Sequence, residues 1–221
     1  MNKILKFILD LIFPIYCVNC KKEGEWVCND CKNLLIIDIK QKKNIDNLTF
    51  VDEIFYFYDF DNKIISDLVH VLKYKYAYDV ARFISVLILN DFMNFYVSLK
   101  EKYGEFIFVP IPLNKKRFNE RGFNQSEIIL KKLKIGDIKI IDLLKRIRNT
   151  EHQASLSGSD RDNNLKNAFV LNNKINIENY KNYNIILFDD VVTTGNTIDE
   201  CAKVLRSNGF KNKIIGLAVA G

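Results

Sequence analysis

The stretch NIILFDDVVTTGNT, residues 184–197, decides the fold. Its first half is an apolar run without polar alternation, the pattern of a strand buried on both faces in the middle of a parallel sheet. Asp189 and Asp190 interrupt that run, and parallel sheets take their ligands beyond the carboxyl ends of the strands. Carboxylates there accept hydrogen bonds from vicinal hydroxyls, as on a ribose, or approach a bound Mg²⁺. Thr193, Thr194, Gly195, Asn196 and Thr197 then lead into an apolar-periodic helix. A helix start offers unpaired backbone N–H groups and the positive end of a dipole. The threonine hydroxyls add donors, and Gly195 is expected to let the backbone approach a bulky anion with no Cβ between them. A capped helix after a strand accounts for one Thr or Asn, but not for three threonines, a glycine and two adjacent acids together. The sequence holds neither GxxxxGK[ST] nor GxGxxG, so the two commoner phosphate motifs are excluded. The stretch fits a ribose 5-phosphate.

Working outward, strand and helix patterns alternate from Glu105 onward. Strands are expected over 106–111, 138–143, 168–171, 184–188 and 213–219, with helices over 124–133 and Asn196–Ser207. Such alternation implies an α/β fold with a mainly parallel sheet covered by helices. Upstream, Glu53–Tyr58 reads as an aromatic-rich strand, and Lys63–Tyr74 and 79–97 read as helices by apolar spacing. His70, with apolar neighbours, reads as packed or partly exposed rather than as a ligand, and Cys201 as a small core hydrophobe.

Four of the five cysteines form a C-x2-C-x7-C-x2-C arrangement: Cys17, Cys20, Cys28 and Cys31. Two such knuckles bring four soft sulfurs into a closed tetrahedral shell suited to structural Zn²⁺. A redox dithiol or two disulfides are the alternatives; the missing secretory signal and the unpaired fifth cysteine favour zinc. Before the cysteines, Ile4, Phe7, Ile8 and Leu11 fall opposite Lys3, Lys6 and Asp10, so a docked amphipathic helix is expected. No uninterrupted run of about 18 apolar residues occurs, and neither a membrane span nor a location outside the cytoplasm is expected. The net charge is +6, and the stretch from Lys100 to Thr150 alone holds thirteen Lys and Arg against six Asp and Glu. A local basic excess reads as a docking surface for phosphates or nucleic acid, or as a solvated face.

Residues 185–197 resemble the 5-phosphoribosyl-1-pyrophosphate (PRPP) loop of type I phosphoribosyltransferases: apolar strand, two acids, then TTGxT. Further stretches narrow the resemblance: the four-cysteine module, Val109-Pro-Ile-Pro-Leu113, Arg121-Gly-Phe-Asn-Gln125, Arg146-x-Arg-x-Thr-x-x-Gln153 and Arg161-x-x-Asn164. Taken together, nearly the whole chain resembles the ComF family of competence-associated phosphoribosyltransferase-like proteins. The resemblance implies a phosphoribosyltransferase-like parallel sheet flanked by helices over 47–221. It also implies a hood from about residue 50 to 100 that shapes the acceptor pocket, and a small zinc-ribbon module over 1–46. Asp189, Asp190, Thr193, Thr194, Gly195, Asn196 and Thr197 would take the 5-phosphate and ribose. Pro112 and Leu113, in a loop after an earlier strand, with Arg117 and Arg121, would take the pyrophosphate. Arg121 is favoured there because Gly122 permits a tight turn; Lys115 and Lys116 read equally well as surface, and Asn124 and Gln125 as helix caps. A polar segment from Arg146 to Phe169 would carry Arg148, His152, Gln153 and Arg161 over the site. The implied reaction is a Mg²⁺-assisted displacement of pyrophosphate from PRPP by an unidentified acceptor. Single-stranded DNA and a competence helicase are the implied partners.

Overall fold

The computed structural model describes residues 14–42, 48–74, 77–133, 135–136, 138–148 and 167–221. In chain order these form α1 (Asn29–Lys32), β1 (Lys40–Gln41), β2 (Glu53–Tyr58), α2 (Lys63–Tyr74), α3 (Ala77–Tyr103), β3 (Phe106–Pro110), α4 (Lys115–Arg121), α5 (Gln125–Leu133), β4 (Lys139–Ile140), β5 (Leu144–Arg146), β6 (Phe169–Leu171), a 3-10 turn (Ile177–Tyr180), β7 (Asn184–Val191), α6 (Asn196–Ser207) and β8 (Ile214–Ala220). A six-stranded sheet runs β1-β2-β8-β7-β3-β4. All its neighbours are parallel except β1 and β2. The quoted stretch therefore lies at the centre, β7 pairing with β3 on one side and β8 on the other.

Because successive strand side chains point to opposite faces, the unbroken apolar runs of β3, β7 and β8 feed two cores. On one face Phe108, Phe188 and Leu217 meet α2, α3 and α5. The ring of Phe108 stands 5.5 Å from Phe92 and 5.4 Å from Tyr96. On the other face Val109, Leu187 and Ala218 meet α6 and the β5/β6 pair. Burying each such large apolar side chain contributes about 1.5–3 kcal/mol. The cysteine module joins the first core, with Trp26, Val27 and Cys31 in the same cluster as Ile84 and Ile88, and Lys32 lies 5.4 Å over the Phe83 ring of α3.

Several expectations change. The strand expected over 168–171 pairs antiparallel with β5 in a separate two-stranded sheet, outside the main one. The strand expected over 138–143 shrinks to β4 at the sheet's open edge. Residues 115–121, read as a basic loop, form helix α4: Asn114 accepts from the Arg117 N–H at its start, and Gly122 closes it at φ 77°. The stretch expected as a hood, about residues 50 to 100, supplies β2, α2 and α3, and the end of α2 brings Lys73 to Asp190. His70 is exposed. The basic excess does not form one face: Lys100, Lys102 and Lys139 flank the amino ends of the strands, whereas α4 and Arg146 follow carboxyl ends. The helix expected before the cysteines lies outside the described residues, as do His152, Gln153 and Arg161. Among the described residues one helix, Tyr78–Tyr103, is long and apolar enough to cross a membrane; its Val80, Ile84, Ile88, Phe92, Tyr96 and Leu99 are instead buried in the core at helical spacing.

Candidate functional site

The site forms where β7 runs out. Asp189 accepts from the Ser126 hydroxyl at 3.0 Å and from the Asp190 N–H at 2.8 Å, and Arg146 and Cys201 stand close enough to exchange charge effects with it. Asp190, pointing the other way off the strand, meets the Lys73 ammonium of α2 at 3.4 Å. Burial and the Asp190 charge push the Asp189 pKa up to about 8, against the bonds from Asp190 and Ser126 and the Lys73 charge. An unfolded aspartate releases its proton near pH 3.9. Between about pH 4 and pH 8 the folded state therefore holds the extra proton, and stability falls as pH rises through that window. Asp189→Asn, which cannot titrate, is expected to flatten this decline in urea midpoints measured from pH 5 to 9; an unchanged slope would mean that the native carboxyl is already ionised.

Beyond the acids the chain turns into α6. Thr193 and Thr194 are exposed, and Asn196 and Thr197 sit half-buried in the first helical turn. The Thr194 hydroxyl accepts from the Asn196 N–H at 3.4 Å. Gly195 departs from expectation. At φ +88° a Cβ would lie 2.7 Å from the Leu48 Cδ1 and 2.9 Å from the Ile54 Cδ1, so the glycine is demanded by the left-handed backbone and by apolar packing beneath the turn, not by the open side. Gly195→Ala is expected to cost about 1–2 kcal/mol from backbone conformation alone, with the Leu48 and Ile54 methyls forced aside. Urea unfolding measures it, and a loss below about 0.5 kcal/mol would contradict this account. Leu48 is held there because Asp199 of α6 accepts from the N–H groups of Thr49, Phe50 and Val51 at 2.7–3.2 Å.

After β3, Pro112 and Leu113 lie half-buried in the loop leading to α4. Arg117 and Arg121 are carried on α4, and Arg148 is exposed just past β5. Asn124 is a cap, as one reading of it allows: its side chain accepts from the Ser126 N–H and donates to the Ile111 carbonyl. Ser126 and Lys73 are site residues that sequence reasoning did not single out, and Arg146 entered it only as the first residue of a motif. Arg146 is lowered from its usual pKa by burial and by the neighbouring Arg117 charge, with Cys201 and Asp189 opposing, and its guanidinium stacks 5.2 Å over Phe169. Two arginines and the two acids thus share the carboxyl edge of the sheet. Such an edge suits a ligand that is anionic at one part and hydroxylic at another.

A second chemistry lies at the cysteines. The Sγ atoms of Cys17, Cys20, Cys28 and Cys31 all fall within 4.8 Å of one another, close to the roughly 3.8 Å edge of a tetrahedron with Zn–S bonds of about 2.3 Å. Lys21 at φ 64° and Gly24 at φ 111° make the tight turn after the first knuckle. Burial alone would raise the Cys17 pKa; N–H groups of Cys20, Cys28 and Asn19 outweigh it and bring the thiol down to about 6. The Cys28 N–H lies 3.5 Å from the Cys17 Sγ, and the Asn19 amide donates to the Cys31 Sγ at 3.3 Å. Donors aimed at sulfur favour the thiolate at Cys17; at Cys31 the Asn19 bond is outweighed by burial and the neighbouring thiols, which raise the pKa to about 12. Four thiols this close repel one another's charge, which a divalent cation among them relieves, so the four residues fit a structural zinc.

No protein-family model matches the chain. Competence protein F of Haemophilus influenzae is 30% identical over 211 residues, covering 94% of this chain and 86% of that protein. DNA utilization protein YhgH of Salmonella typhimurium is 34% identical over 147 residues, 66% of this chain and 62% of that protein. Competence protein ComFC of Streptococcus pneumoniae is 29% identical over 130 residues, 57% and 53% of the two chains. With a likeness that runs almost end to end, the chain belongs to the ComF family.

Proposed function

We propose that the chain binds PRPP at the carboxyl edge of its sheet and acts in the cytoplasm as a phosphoribosyltransferase-like protein linked to DNA uptake. One observation carries the reading: a central strand delivers Asp189 and Asp190 directly into a hydroxyl-lined helix start. In this reading the N–H groups and hydroxyls of residues 193–197 grip the 5-phosphate, and the acids orient the ribose diol. Arg117 and Arg146 neutralise the pyrophosphate, with Arg121 and the Pro112–Leu113 loop beside it. Displacement at C1 forms a bond to the acceptor nitrogen and breaks the bond to pyrophosphate, which leaves with the electron pair. Charge balance on the leaving group is the residues' main contribution. Mg²⁺, held mostly by the ligand's own oxygens, would add to that neutralisation. Supporting context comes from the relatives, which carry the names competence and DNA utilization protein. The test is a screen of nucleobases and amines for pyrophosphate release from PRPP with Mg²⁺: release with one of them supports the enzyme.

A second reading, a non-catalytic single-stranded DNA binder that senses PRPP, is favoured by α4, where Phe118 is 46% exposed beside Lys115, Lys116 and Arg117. A ring among cations suits stacking and backbone contacts with a single strand. It requires an affinity for an oligonucleotide that falls steeply with salt, with no pyrophosphate released.

A further inference from the structure

Lys73 belongs to no motif that the sequence displays, yet its ammonium lies against the second acid of the pair. Leu72 beside it is fully buried, which anchors the last turn of α2, and a lysine there also suits the negative end of the helix dipole. Its Nζ stands 3.4 Å from the Asp190 Oδ2, with the Lys73 side chain 26% and the Asp190 side chain 13% exposed. An ammonium has three N–H donors, and Asp190 occupies one direction among them. The side chain is therefore tethered at the carboxyl edge while still reachable from solvent.

Charge makes the placement consequential. Asp189 and Asp190 are adjacent, and a phosphorylated sugar brings more negative charge to the same edge. Burial and the Asp190 charge hold Asp189 well above the usual carboxylate range, and Asp190 is the acid that meets the Lys73 ammonium. From the other elements at this edge, α5 contributes the neutral Ser126 hydroxyl, and Arg146 of β5 and Cys201 of α6 lie on the Asp189 side. Resting on the reading of a sugar-phosphate ligand given above, we propose that Lys73 is a binding residue of this site: from the last turn of α2 it cancels the Asp190 charge and donates to the anionic groups of the bound sugar phosphate.

Calorimetric titrations at neutral pH with Mg²⁺ test this, using PRPP and ribose 5-phosphate as probes. Lys73→Met is expected to weaken PRPP binding about tenfold or more and ribose 5-phosphate binding by less, because the effect scales with ligand charge. The difference from the parent should shrink in high salt, while the thermal midpoint without ligand stays near the parent's. Lys73→Arg, which keeps the charge, should remain within about threefold of the parent. PRPP binding by Lys73→Met within about twofold of the parent, or an equal loss in Lys73→Arg, would overturn the assignment while leaving the ligand reading intact. A parent protein that binds neither probe would instead remove the ligand reading itself, and Lys73's role with it.

Discussion

Changing Cys17 and Cys20 to serine is expected to release the metal from the protein and to lower its thermal midpoint by several degrees at least. The four sulfurs converge within 4.8 Å, three of the cysteines are buried, and N–H donors point at two of the sulfurs. Structural zinc in small modules contributes apparent binding energies on the order of 10 kcal/mol that act as folding energy. Here the module packs into the core that also holds α2 and α3, so its loss exposes apolar surface on the main domain as well. A loss of only about 3 kcal/mol would shift the midpoint of a chain of this size by roughly 6–12 °C. Metal analysis together with a thermal melt decides it: one zinc per parent chain and none in the variant is the expected pair of values. Undiminished zinc in the variant would rule out the assignment.

The second large effect concerns the acids. Asp189→Ala combined with Asp190→Ala is expected to abolish the stabilisation that PRPP with Mg²⁺ confers on the parent. That stabilisation follows mass action, about 2.7 kcal/mol when ligand stands at a hundred times its Kd, and it should grow with concentration in the parent alone. The variant loses both acids proposed to orient the diol and the acceptor of the Ser126 hydroxyl bond, while the turn at residues 193–197 and the helix behind it remain. An equal ligand-dependent shift in parent and variant would place the ligand elsewhere.

Much of this was legible in the residue order. The run from Asn184 to Phe188 is buried throughout because it lies between β3 and β8, and its lack of polar alternation said as much. Helices Lys63–Tyr74 and Asn196–Ser207 follow directly from apolar spacing, since each buries one stripe. The cysteine spacing likewise specified a convergent cluster. What the sequence hid is long-range. Nothing local tells that β5 and β6 leave the main sheet to pair with each other, because three-residue strands carry no periodicity worth the name. The helix α4 was masked by its composition: with no buried residue it offers no apolar stripe, and only Asn114 and Gly122 mark its ends. Gly195 was legible as necessary but for another reason, since the Leu48 side chain that packs beneath it comes from 147 positions earlier. Lys73 and Ser126 were invisible for the same cause: each becomes a site residue only when the sheet brings α2 and α5 to the end of β7.

The most direct measurement is a crystal structure of the protein grown with PRPP and Mg²⁺. The account predicts the 5-phosphate seated on the N–H groups and hydroxyls of residues 193–197, with the ribose diol on Asp189 and Asp190. A sugar phosphate bound at another place, or none bound on residues 193–197 at saturating ligand, would contradict it.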